Sequence, residues 1–424
     1  MSDKASSASE KIASPPGENQ SSSTNLPKSL RVNPKVANPL IPRLVDLCLE
    51  TIKTNFDKCT DLHLLPKSYQ TRLLQVIPAD FSLPLAVMTI PDGSYWKRRL
   101  LKEFPKISHD PQRKVWKRLY LEEYSSQKLE NATSATIDDI FEELHIFGPY
   151  IREIHMNRTP CKVSIFKLFH IFRGLKKLTL VYGEPRRSFA AYEDFDQFDV
   201  LSENSATLQD CKQLKGDFEQ LGQFCSLREL NMSDNSLADV PFQHICKGLC
   251  SLVSLTSLTF SHNEISNNGC HAVATVMLKS PLVYLDLSDN KIGPEGCGKL
   301  VDIALTSKTL KYLNLGSNQI GDKGAQHIGR LMKGTASLEH LDISGNRITK
   351  CHDITEGLKE NNTLREFILA ANPIDDNEFD ELERTCSELK SSLDIIDLRR
   401  YQLTEEDFQI KTTETSEAPL LRFK

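Results

Sequence analysis

The stretch LVYLDLSDN (residues 282–290) decides the fold, because five other stretches repeat its frame. LRELNMSDN ends at Asn235, LTSLTFSHN at Asn263, LKYLNLGSN at Asn318, LEHLDISGN at Asn346 and LREFILAAN at Asn372. Successive asparagines, starting from Asn235 and including Asn290, stand 28, 27, 28, 28 and 26 residues apart, so one unit is repeated in phase. The alternating LxL reads as a short strand with its leucines turned to one side. The Asn side chain is expected to satisfy backbone groups where the chain leaves that strand. No single unit can bury its apolar face alone, so the core must come from stacking neighbours.

The stretch that follows, GPEGCGKL (residues 293–300), has the spacing of a phosphate-binding loop. That motif needs Ser or Thr after the lysine to hold magnesium, and Leu300 stands there instead. SNNGCHAV (266–273) and GDKGAQHI (321–328) also fall in the same slot of their own repeats, making Gly269, Gly296 and Gly324 one recurring position. The expectation is a glycine that admits a tight entry to the next helix, no nucleotide, and Lys299 exposed at a helix start.

A 26–28-residue unit closing LxxLxLxxN is the leucine-rich repeat, and its length resembles the ribonuclease-inhibitor type, in which strand and full helix alternate. The fold class expected is therefore α/β, a solenoid with parallel strands on the concave face, helices outside, and a small helical N-terminal capping domain. Weaker frames flank the good ones. LDIIDLRRY (393–401) places Tyr401 in the asparagine position, while LKKLTLVYG (175–183) and IREIHMNRT (151–159) keep the apolar frame without the asparagine. The 46 residues between Leu180 and Leu227 exceed one unit and contain AAYEDFDQFD, read as an acidic insert near 184–212 on one edge of the solenoid. The domains expected are a disordered tail over 1–38, a helical N-terminal domain over 39–150, the solenoid over 151–401, and a C-terminal cap and tail over 402–424.

Composition narrows the function. No apolar run approaches the roughly 18 residues of a membrane span, and the opening MSDKASSASE lacks the charged-then-apolar order of a signal peptide, so a cytoplasmic setting is expected without membrane partners. The eleven cysteines are odd in number, form no CxxC pair and fall mostly in core slots such as Cys270 and Cys297. Charge is uneven: twenty Lys and Arg face fourteen Asp and Glu up to residue 130, and thirty-two face forty-three after it. The basic excess is densest between Lys97 and Arg118, where nine basic residues face two acids.

The segment before the repeats carries helical spacing at Leu44, Leu47, Cys48 and Ile52 and again at Leu73, Leu74 and Ile77. Its text, NPLIPRLVDLCLETIKTNF and then LHLLPKSYQTRLLQVIPADFSLPLAVMTIPDGSYWKRR, resembles the amino-terminal region of the leucine-rich-repeat subunit of the ciliary nexin–dynein regulatory complex, the T-complex-associated testis-expressed protein family. With the repeats the resemblance spans most of 39–400. It implies a structural, non-catalytic component of the axoneme in cilia and flagella, with other subunits of that complex as partners and no catalytic residues. The insert near 184–212 and the sequence TKCHDI, which lacks the repeat's glycine, depart from the pattern.

Two binding surfaces follow from the residues themselves. Strand alternation should line the concave face with Tyr284, Tyr312 and His340 in one column and Asp286, Asn314 and Asp342 in the next, a pairing suited to a basic amphipathic helix of a protein partner. Trp96, Lys97, Arg98, Arg99, Lys114, Lys117 and Arg118 could instead contact tubulin or another acidic partner, against the favoured alternative of a pair of helices with Trp96 and Trp116 in the core and a solvated charged face. No nucleic-acid motif accompanies the charge. The histidines lack metal-ligand spacing in sequence, so no metal, cofactor, small-molecule substrate or enzymatic activity is expected. The competing reading takes Leu44, Cys48 and Ile52, followed by the Leu65–Pro66 turn, as the elongin-binding box of a cullin ubiquitin-ligase substrate receptor. Arg43 stands where that box has Ser, Thr or Pro, and the spacing is also that of any core-facing stripe.

Overall fold

The computed structural model describes residues 44–58, 62–106, 115–159, 163–182, 206–388, 393–399 and 420–422. The Ser- and Pro-rich start, Arg43, Lys114, residues 184–205 of the acidic insert and Tyr401 lie outside them. The end of that insert, from Leu208, is the first turn of a helix.

Each LxL becomes a three-residue strand. β1 (Glu153–Met156), β2 (Lys177–Leu180), β3 (Glu229–Asn231), β4 (Ser257–Thr259), β5 (Tyr284–Asp286), β6 (Tyr312–Asn314), β7 (His340–Asp342), β8 (Glu366–Ile368), β9 (Ile395–Asp397) and β10 (Leu420–Arg422) form one sheet in chain order. All its pairings are parallel. The asparagine-free frames thus contribute β1 and β2, and β10 adds a strand within the segment read as cap and tail. Helices α7 (Ile165–Ile171), α8 (Leu208–Leu221), α9 (Asp239–Leu249), α10 (Asn267–Lys279), α11 (Pro294–Ala304), α12 (Gly321–Gly334), α13 (His352–Glu360) and α14 (Asp376–Glu388) connect successive strands from β1 to β9. The chain is an α/β leucine-rich-repeat solenoid. Its core is a column of central strand residues, Leu230, Leu258, Leu285, Leu313, Leu341 and Phe367, all buried against apolar helix residues such as Val273, Leu300 and Ile328.

The asparagines bind one repeat to the next. Asn318 Nδ2 donates to Leu315 O and Gly316 O in its own turn and to Leu287 O of the preceding repeat, at 3.0, 3.1 and 3.0 Å. Its Oδ1 accepts from the Ile292 amide at 3.0 Å. Asn263, Asn290, Asn346 and Asn372 repeat this arrangement, and all are buried. The residue before each asparagine turns left-handed: Asp234, His262, Asp289, Ser317, Gly345 and Ala371 have φ of 59°, 54°, 50°, 53°, 62° and 55°. Only one of the six is glycine, so the ladder holds five ordinary side chains in a conformation they disfavour.

Before the sheet come α1 (Leu44–Thr54), α2 (Lys67–Val76), α3 (Leu83–Thr89), α4 (Ser94–Glu103), α5 (Trp116–Glu130) and α6 (Ile137–His145). α5 closes the open edge of the solenoid by hydrogen bonding. Its side chains at four-residue spacing accept from β1 and its flanks: Glu122 Oε1 from the Arg152 and Glu153 amides at 2.9 and 3.0 Å, Ser126 Oγ from His155 at 3.1 Å, and Glu130 Oε1 from Asn157 at 2.5 Å. Four helical residues rise about 6 Å and two strand residues about 6.6 Å, so the two rows stay in step. A helix thereby blunts an edge that would otherwise template another strand. Among the described residues, no helix is long and apolar enough to cross a membrane.

The stripe named from spacing in α1 is not its buried face. Leu44, Leu47 and Cys48 are exposed, and Leu49 is the buried residue. α1 contacts chiefly α2, so only a narrow strip of it is covered.

Candidate functional site: the concave face

First and third strand residues point away from the core and stand in register across the sheet. Ser257, Tyr284, Tyr312, His340 and Glu366 form one row, and Thr259, Asp286, Asn314, Asp342 and Ile368 the next. The Tyr284 and Tyr312 rings stack with centroids 4.2 Å apart and 12° between planes, and Tyr312 and His340 at 4.0 Å and 8°. Strand spacing of about 4.8 Å brings neighbouring flat rings close to stacking distance without rearrangement. His340 Nδ1 lies 2.6 Å from Glu366 Oε2. A carboxylate only accepts, so Nδ1 carries the proton. His340 Nε2 is buried and has no hydrogen-bond partner among the described residues.

The acidic row is fixed by the turns that follow it. Asp286 Oδ1 accepts from the Ser288 amide and hydroxyl at 2.9 and 2.7 Å, and Asp342 Oδ1 from those of Ser344 at 2.9 and 2.7 Å. Asn314 Oδ1 accepts from Gly316 at 2.9 Å. Burial in the stack, with the Asp286 carboxylate nearby, raises the pKa of both phenols, so the tyrosines stay neutral. The result is a rigid aromatic row beside polar and acidic groups held in place before any partner arrives. All six residues named for this face come together.

The phosphate-loop-like stretch carries no site. Residues 294–300 lie in α11, and Asn267 Oδ1 already accepts from the Gly293 and Gly296 amides at 2.8 and 3.0 Å. Lys299 is exposed, but on the second turn of the helix, not at its start. Gly269, Gly296 and Gly324 lack the left-handed φ a tight entry would need, and close approach explains the residue type instead. A Cβ on Gly296 would lie 2.7 Å from Asn267 Oδ1 and 2.9 Å from Cys270 Sγ. Cys270 and Cys297 are buried, and burial pushes the Cys297 thiol up to about 12.

The basic segment is corrected by its burial. Trp96, Arg99 and Lys117 lie in the helical core, where a tubulin tail or other acidic partner has no access. Arg99 donates to Phe81 O, Tyr95 Oη, Tyr120 Oη and Glu103 Oε1, and Lys117 Nζ donates to Val87 O and Ile90 O at 2.5 and 3.1 Å at the end of α3. Arg98 donates to Leu74 O and Ile77 O at the end of α2. Arg98 and Lys117 thus satisfy the last carbonyls of α2 and α3. Lys97 and Arg118 remain exposed, one over the Trp116 ring and one 3.8 Å from Glu122.

The expectation that the histidines lack ligand spacing fails at His352, because Glu356 stands four residues on in α13. His352, Glu356 and Glu381 converge on the surface, but Lys359 Nζ stands 2.6 Å from Glu356 and 3.6 Å from Glu381 and already offsets part of the cluster's charge. What sequence reading missed is the row Ser226, Ser254, Thr309 and Ser337, whose hydroxyls donate to Leu175, Leu227, Leu282 and Leu310 carbonyls of the preceding repeat. Its signal was there: a hydroxyl residue stands just before the first leucine in five of the six frames, Pro281 being the exception.

An in-register parallel sheet, an asparagine ladder and a half-exposed concave face define a leucine-rich-repeat protein. Sequence models described as Leucine Rich repeat match residues 251–274, 279–301 and 306–329, and another of that kind matches 337–358. Within that class the chain is similar to dynein regulatory complex subunit 5. It is 27% identical to that protein of Chlamydomonas reinhardtii over 203 residues, 47% of this chain and 49% of the relative, and 24% identical to that of Mus musculus over 265 residues, 55% and 51%. The chain spans about half the length of these curated relatives. Ribonuclease inhibitor of Sus scrofa is 35% identical over 101 residues, 23% of this chain and 22% of that one. Among solved structures, an internalin from Listeria monocytogenes aligns with a TM-score of 0.36 at 17% identity, covering 60% of this chain and 63% of that one.

Proposed function

We propose that this protein is a non-catalytic scaffold subunit of the axonemal nexin–dynein regulatory complex, supporting dynein regulation and ciliary or flagellar motility through protein binding on its concave face. The observation that carries the binding role is the stacked row Tyr284, Tyr312 and His340 beside Asp286, Asn314 and Asp342. Rigid aromatic groups with an apolar face and a polar edge are the side chains most enriched at binding hot spots. The setting is inferred from the relatives named dynein regulatory complex subunit 5, whose matches cover 47% and 55% of this chain.

Proximity labelling in a ciliated cell, with the wild-type chain and a Tyr284→Ala/Tyr312→Ala variant, tests both parts. Other subunits of the complex should be labelled in salt-washed axonemes, and the variant should lose at least one of them. Wild-type labelling dominated by elongin and a cullin would replace this reading with the ligase one. A variant that keeps every neighbour would remove the concave face from the interface.

A further inference from the structure

The aromatic row ends abruptly. On the β6 side Tyr284 is covered by Tyr312, but on the β4 side its register neighbour is Ser257, too small to reach the ring. A cleft of about 600 Å³ opens there, with Ser257 and Thr259 on its floor, Tyr284 on one wall, and Glu229 and Asn231 on the other. Glu229 and Tyr284 are two strands apart, about 10 Å, enough for one flat group stacked on the ring with a carboxylate at its far edge. The Ser257 and Thr259 hydroxyls make no side-chain hydrogen bond among the described residues. Lys177 Nζ holds one side of the Glu229 carboxylate at 3.2 Å. Asp286 adds a second carboxylate beside Tyr284, whose hydroxyl donates to it at 3.4 Å. The cleft therefore offers an uncovered π-face, two acids against one lysine, and free hydroxyl acceptors.

We infer that the cleft between β3 and β5 is a slot for one arginine side chain of a protein partner, its guanidinium stacked on Tyr284 above Ser257 and hydrogen-bonded to Glu229. Arginine fits where lysine does not, because its planar fork stacks on a ring and meets a carboxylate edge-on, whereas an ammonium is a hydrated point charge. A neutral aromatic ligand would stack on the ring but cover, without pairing it, the side of the Glu229 carboxylate that Lys177 leaves open. The slot rests on the proposed concave-face binding and narrows it to one residue of the partner.

The test uses two labelled amphipathic helical peptides identical except that one carries arginines where the other carries lysines, titrated by fluorescence anisotropy against the full chain. The arginine peptide should bind about tenfold more tightly. Ser257→Phe, which extends the stack over Tyr284, should abolish that preference, bringing the two peptides to equal affinity, with the melting temperature nearly unchanged. Glu229→Gln should reduce the preference in part. Equal binding of the two peptides to wild type, or a preference that survives Ser257→Phe, would overturn the slot. If Asp286→Asn and Asp342→Asn weaken both peptides in that case, concave-face binding stands without it. Absence of saturable binding by either peptide would remove the face and the slot together.

Discussion

At the scale of single residues the ladder asparagine is the most consequential side chain in each repeat. Asn318→Ala would leave the buried Ile292 amide without its acceptor and take one of two donors from each of the Leu287, Leu315 and Gly316 carbonyls, at a cost of about 2 to 3 kcal/mol by chemical denaturation. The left-handed residue before it is a second device, and it predicts the opposite sign. Ala371→Gly should leave stability unchanged or raise it by about 0.5 kcal/mol, although Ala→Gly inside a helix costs about 1, because φ of 55° penalises a Cβ. On the outward side, Tyr284→Ala with Tyr312→Ala should cost about 1 kcal/mol. Alternation alone assigned these rings no part in stability, but their mutual stacking gives them a small one. Leu285→Ala points into the core and should cost about 2 to 5 kcal/mol through the cavity it leaves.

Among the elements, α5 carries the largest pH dependence. Burial is the main cause that pushes the Glu122 carboxyl up to about 7, despite the two amides it accepts from. A folded-state value above the unfolded one means that the folded protein holds its proton longer. The stabilisation is therefore complete below about pH 4.5 and is lost as pH rises through about 7. Glu122→Gln keeps an acceptor for Arg152 and Glu153 and carries no charge, so its melting temperature should exceed that of wild type at pH 8 and converge with it near pH 5. A variant that melts lower than wild type at both values would show that the charged form is the one the fold prefers. Across the solenoid, α12 and α13 pack through glycine: a Cβ on Gly329 would stand 2.3 Å from Asp353 O, a backbone atom that cannot yield cheaply. Gly329→Ala should therefore destabilise by about 2 kcal/mol or more, read by denaturant midpoint.

For the whole molecule, one buried cluster runs from Leu49 in α1 to Leu398 after β9, without a break between the N-terminal helices and the repeats. Such continuity predicts one cooperative unfolding transition. The chain supplies its own probes, because both tryptophans, Trp96 and Trp116, lie in the N-terminal helices while far-ultraviolet circular dichroism is dominated by the repeats. The two signals should lose amplitude at the same urea concentration. A tryptophan transition well before the circular dichroism one would mean that the helical region folds as a separate unit.

What the sequence determined by itself was everything periodic. The repeat, its strand register, the inward leucines and the outward Tyr–Tyr–His row could be read because a recurring frame places equivalent residues one above another, and stacking is the only way such a frame buries itself. The ends of the fold had no such period. That Arg99 and Lys117 are core residues, and that Leu44 and Cys48 are not, depended on which helix packs on which, and charge density carries no information about burial once carbonyls and phenols surround the charge. The same holds for α5: Glu122, Ser126 and Glu130 look like an ordinary solvated helix face until β1 is laid beside them. Only the tertiary structure could pair the rise of a helix with the rise of a strand, and only it could show that the aromatic row stops at Ser257, leaving one face of Tyr284 uncovered.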